Sequence, residues 1–207
     1  MNQIAAAITE TSQPVRQRWL VWFGAALLAA PLAIVLHELG HFTLAKAFGF
    51  PNVSFHFSSV SDGADAAGYP LWQQGLKALA GPAVTLALVL GFTAAARRYG
   101  PGPLTVGPAF AAGVRAFILG GAYLLVRVLH PERVAQGNFD ELNAARRLGL
   151  SADLVMAVSV LTIVAAWIYL VRLLPKAIRL RALGVTAAGT VVGVVLWVSV
   201  IGPIVLP

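Results

Sequence analysis

Five stretches of about 20 residues almost free of charge constrain this chain more than any other feature. Residues 19–36, 78–96, 108–129, 154–171 and 183–206 each approach the ~20 residues with which a helix crosses the ~30 Å hydrocarbon core of a bilayer. Only 11% of the 207 residues are charged and 58% are hydrophobic, against roughly 25% charged in a soluble domain. A water-soluble globule of this length would lack the charged surface that keeps it dispersed. The expected fold is therefore an all-α polytopic membrane protein with about five transmembrane helices, a multi-pass protein of the cell membrane (the inner one in a bacterium).

The absence of cysteine excludes a disulfide framework, a thiolate metal site and a cysteine nucleophile. The net charge of +7 comes from basic residues set beside apolar runs, such as Arg97 with Arg98 and Arg146 with Arg147. That placement suits anionic headgroups, so membrane lipids are expected partners and nucleic acid is not. Arg16 and Arg18 before the first apolar run resemble the start of a signal peptide. The run is too long for one and ends in a histidine motif instead of a cleavage site, so residues 1–18 read as a tail ahead of a retained helix. Arg115 is the one charge well inside the third span, Arg127 lying two residues from its end. About two turns in from Pro108, Arg115 is expected to snorkel to the interface, with a functional ion pair as the alternative.

Between the first two spans, residues 51–75 are polar. Val53-Ser54-Phe55-His56-Phe57-Ser58 alternates in the strand period, which predicts a short β-hairpin with its turn at 61–65, where Ser61, Asp62, Gly63, Ala64 and Asp65 favour tight backbone geometry. Such a hairpin offers a strand edge able to hold an extended peptide, with Val53 and Phe55 as contacts.

His37-Glu38-Leu39-Gly40-His41 closes the first span. Histidines four apart share one helix face and can grip one zinc ion, and a glutamate between them is placed to act on a metal-bound water. Glu38 is also the only acid within the five spans. An ionisable group in the membrane is costly enough to read as functional. The 18 residues of 19–36 rise about 27 Å, which places the metal near one membrane face; Pro31 is a candidate kink that would open room for water.

A catalytic zinc takes a third protein ligand. With alternating spans, the loops 51–75 and 130–153 share the face of the motif. Apart from Glu10, every remaining acid lies there (Asp62, Asp65, Glu132, Asp140, Glu141 and Asp153), as do His56 and His130. Spacing alone does not choose among them.

HELGH at the end of a transmembrane helix, followed by Ala80-Gly81-Pro82 in the next, resembles the site-2 protease family of intramembrane zinc metalloproteases. That family takes its third ligand from an Asn-Pro-Asp-Gly type motif. The chain has Asn138-Phe139-Asp140-Glu141, so the resemblance implies Asp140, with Glu141, His56 and His130 behind it. The bland role of Asp140 is an N-cap for a helix over 141–148. A family Asn that contacts substrate is replaced here by Thr85, and a membrane-associated hairpin after the motif is shared. The resemblance covers residues 19–150 as a metalloprotease core and leaves 151–207 as two added helices. It implies an endopeptidase with one Zn2+ ion, Glu38 as catalytic base and a transmembrane protein as substrate. A non-proteolytic zinc-binding regulator of the same fold is the alternative, and a lipid amidohydrolase another. Oligomeric state and orientation are not legible, because basic residues flank both faces almost evenly.

Overall fold

The computed structural model describes residues 15–61, 68–130 and 137–206, with side chains from Trp19 onward. It holds five helices long and apolar enough to cross a membrane, the architecture of an integral membrane protein. They are α1 (Val15–Ala47), α2 (Leu71–Tyr99), α3 (Pro103–Leu129), α5 (Ala152–Leu173) and α6 (Arg179–Leu196). A short helix, α4 (Asp140–Leu148), lies between α3 and α5. A π-helical turn (Trp197–Ile201) and α7 (Gly202–Val205) follow α6.

The helices alternate in direction. The start of α1 (Trp22), the end of α2 (Ala96), the start of α3 (Val106), the end of α5 (Leu170, Leu174) and the start of α6 (Ala182) meet in one buried apolar cluster. In lipid, helices associate through close van der Waals packing, because hydrocarbon surrounds them whether or not they touch. The α1–α6 pair, the most extensive in the molecule, shows how closely. Gly189 and Gly193 of α6 press on the Phe23 and Leu27 carbonyls of α1, where any Cβ would collide. Leu27 is four residues before Pro31, so its carbonyl has no helical N–H to accept from and meets α6 instead.

The first helix does not end with the histidine motif. Phe42 to Ala47 continue it, and a Schellman cap stops it: Gly49 turns left-handed at φ 74, Gly49 N–H donates to the Lys46 carbonyl and Phe50 N–H to that of Ala45. His37 consequently stands ten residues, about 15 Å, inside the helix end. The helix is thus longer than the segment that apolar scanning marked out, and HELGH lies inside it. The helix is continuous through Pro31.

The hairpin is present, but its turn is not where the sequence suggested. Strands β1 (Ser54–His56) and β2 (Ser59–Ser61) pair with Phe55 opposite Val60, so the turn is Phe57-Ser58 and Ser61 ends the second strand. Alternation set the first strand correctly; the Gly and Asp cluster was mistaken for its turn. Asp62 to Asp65 lie outside the described residues, as do Glu10 and Glu132. The C-terminal segment seats this turn: Trp197 Nε1 donates to the Phe57 carbonyl at 2.9 Å, and Phe57 N–H donates to the Leu206 carbonyl at 3.1 Å.

Candidate metal centre

Three donor atoms converge about ten residues in from the end of α1 and from the start of α2. His37 Nε2 and His41 Nε2 are 3.2 Å apart, and Asp140 Oδ2 lies 3.2 Å from the first and 3.5 Å from the second. Bonds of 2.0–2.1 Å in a tetrahedron put neighbouring ligand atoms about 3.3 Å apart, so the three atoms already have the spacing of three tetrahedral vertices. Among the described residues, this is the one group of His, Asp and Glu close enough to share an ion. The donor set of two imidazoles and a carboxylate fits zinc.

The surrounding groups fix which nitrogen faces the centre. His41 Nδ1 donates to the Lys77 carbonyl at 2.8 Å, and His37 Nδ1 is hydrogen-bonded to the Thr85 hydroxyl at 2.9 Å. Each imidazole is thereby held with Nε2 toward its partners, the usual second shell of a ligating histidine. Lys77, Gly81 and Thr85 fall at i, i+4 and i+8 on α2, one helix face. Gly81 allows that face to approach: a Cβ there would meet His37 Nε2 at 2.6 Å and come closer still to His41. Thr85 is buried with its hydroxyl engaged by His37, so its observed contact is with a site histidine.

Asp140 arrives on α4, which runs back along the first third of α2. At its C-terminal end Leu148 lies over Gly75, where a Cβ would stand 2.6 Å from Leu148 Cγ; its first residue reaches the histidines. Asp140 and Glu141 in the first turn and Arg146 and Arg147 in the last match the helix dipole, and Gly149 closes it left-handed at φ 68. The N-cap position belongs to Phe139, and no side chain caps it. The capping role considered for Asp140 is thus absent. Its carboxylate points to the histidines and to Arg115, whose Nη2 donates to Oδ2 at 2.6 Å.

This ion pair overturns the snorkelling expectation for Arg115. The third span starts at Pro103, not Pro108, so Arg115 is twelve residues in, about 18 Å from its start and 21 Å from its end. A lone charge that deep was a signal in its own right. Burial pushes the Asp140 carboxyl up, but the bonds with His37 and His41 and the Arg115 guanidinium prevail and hold it well below the usual carboxylate range. Glu141, one residue on, is buried but is not one of the converging donors, and burial pushes its carboxyl up. His56 bonds Ser54 on the exposed hairpin, and His130 caps α3; neither joins the cluster.

Glu38 is buried beside the histidines and borders a cavity of about 400 Å³, room for about a dozen waters at ~30 Å³ each. His37, Glu38, Thr85 and Arg115 supply its polar end, while aliphatic side chains of α1, α3 and α6 form most of its wall. Of the hairpin only Ser58 lines it. Val53 is buried in a small cluster with Ala45 and Phe50, and Phe55 packs edge-on to Phe42, so neither expected contact residue faces the cavity. The fifth long helix, beyond residue 150, contributes Thr190, Val191 and Val194 to its wall. No family model, curated protein or solved structure matches this chain, and the functional reading rests on the site itself.

Proposed function

We propose that the protein is a zinc-dependent intramembrane endopeptidase of the site-2 protease kind, hydrolysing peptide bonds of membrane-embedded protein substrates. The observation that carries this reading is the near-tetrahedral spacing of His37, His41 and Asp140 donor atoms beside Glu38, at a cavity of about 400 Å³ among the long apolar helices. Zinc held by these three side chains would supply a Lewis acid and bring the pKa of a coordinated water toward neutrality.

Glu38 takes a proton from the attacking water as its oxygen adds to the carbonyl carbon. It then delivers that proton to the amide nitrogen as the C–N bond breaks, leaving a carboxylic acid and an amine. A purely structural zinc needs no such carboxylate, which favours turnover over the regulatory alternative. The cavity is too small for a whole helix of ~10 Å diameter, so the substrate enters with its helix locally unwound and its peptide bonds freed.

Purified wild type, Glu38→Gln and Asp140→Asn would be compared for zinc content and for cleavage of a tagged transmembrane substrate. Activity in wild type, zinc without activity in Glu38→Gln, and weakened zinc binding in Asp140→Asn are expected. Stoichiometric zinc in a wild type that cleaves neither membrane peptides nor lipid amides would favour the regulatory reading, and cleavage of lipid amides alone would make it an amidohydrolase.

A further inference from the structure

We propose that Arg115 is a catalytic residue, its guanidinium stabilising the negative charge that builds on the scissile carbonyl oxygen; the inference rests on the protease reading above. Arg115 lies in the middle of α3, a costly place for a cation in a membrane-spanning helix. Asp140 partly offsets that cost through the 2.6 Å contact. The pair does not bury the side chain, which keeps 35% of its surface exposed and borders the cavity together with Glu38 and His37. Among the described residues no other lysine or arginine lines this cavity.

A guanidinium carries five N–H donors in a rigid fork. With one nitrogen held on the carboxylate that completes the metal group, the fork is fixed beside the place where the substrate carbonyl must stand. The Thr85 hydroxyl is hydrogen-bonded to His37 and the Lys77 carbonyl can only accept, so among the described residues the guanidinium is the one fixed positive charge bordering the cavity.

When the water oxygen adds to the carbonyl carbon, the C=O electron pair moves onto oxygen, and Arg115 meets that charge. When the C–N bond breaks the pair returns and the charge is gone. An interaction that peaks between substrate and product raises kcat with little effect on KM.

The test uses full-length protein at saturating zinc, comparing wild type with Arg115→Gln and Arg115→Lys. Arg115→Gln is expected to bind one zinc and to lose about 10²–10³-fold in kcat, with KM changed by less than about threefold. Arg115→Lys, which keeps the charge, recovers part of the loss. A phosphinate peptide, a stable tetrahedral anion, should lose affinity for Arg115→Gln in step with kcat while zinc affinity does not follow. An Arg115→Gln whose kcat matches wild type at saturating zinc, with any loss confined to limiting zinc, would show that Arg115 only positions Asp140 and would overturn the inference. A zinc-loaded wild type that cleaves no peptide would overturn the protease reading and this inference with it, whereas an active wild type matched by Arg115→Gln overturns this inference alone.

Discussion

The two ends of the helix bundle are built on opposite rules. At the end holding the start of α1, Trp22, Val106, Leu170, Leu174 and Ala182 pack without a polar side chain among them. Toward the other end, α1, α2, α3 and α4 bring together two histidines, an aspartate, an arginine and a threonine, joined by hydrogen bonds of 2.6 to 3.2 Å. In lipid the first arrangement gains only close packing, while the second carries buried charges that are tolerable only when paired. The helices are thus packed through apolar contact at one end, and the polar groups are confined to a section where they pair with one another.

Substitutions can break this division. The largest effect is expected from Gly81→Val, which pushes a side chain between the two imidazoles; zinc content and cleavage should both fall to background. Thr85→Val removes the hydroxyl that orients His37 and should weaken zinc affinity about 10–100-fold, measured by competition with a chelator, with the thermal transition little moved. Leu170→Ala acts at the other end: the loss of packing is expected to destabilise the fold by about 1–2 kcal/mol in a denaturation series, with zinc stoichiometry unchanged. If zinc affinity dropped with it, the two ends would be coupled and the division wrong. The smallest effect is expected from Phe55→Pro, which disturbs β1 but no metal-site contact; cleavage of a membrane substrate should fall with zinc content intact.

Much of this was legible from residue order. Uncharged runs give the five helices because bilayer thickness sets their length, and HELGH gives half the site because i and i+4 share a helix face. Helix ends were read short wherever apolar scanning stopped at a polar residue that the helix passes through, as at Gln73, Gln74 and Lys77 of α2. The meeting of Asp140 with the histidines is a property of tertiary folding that spacing does not encode, and a family pattern was needed to point to it. Arg115 was misread for a related reason: its depth depends on where α3 begins, and three residues of Pro and Gly near 101–103 hid that start. The hairpin turn was misplaced because Gly and Asp mark many turns, whereas Phe57-Ser58 is held by contacts from Trp197 and Leu206, about 140 positions later.

Asp140 is 103 positions beyond His37 in the chain, which sets an order of events during biosynthesis. At 5–20 residues per second, the ribosome needs roughly 5–20 seconds to travel from one to the other. Throughout that interval the histidine pair exists without its carboxylate and without the α3 arginine's partner. A nascent chain therefore carries an incomplete donor group while its first helices enter the bilayer, and the three donor atoms meet only once α4 folds back against α2.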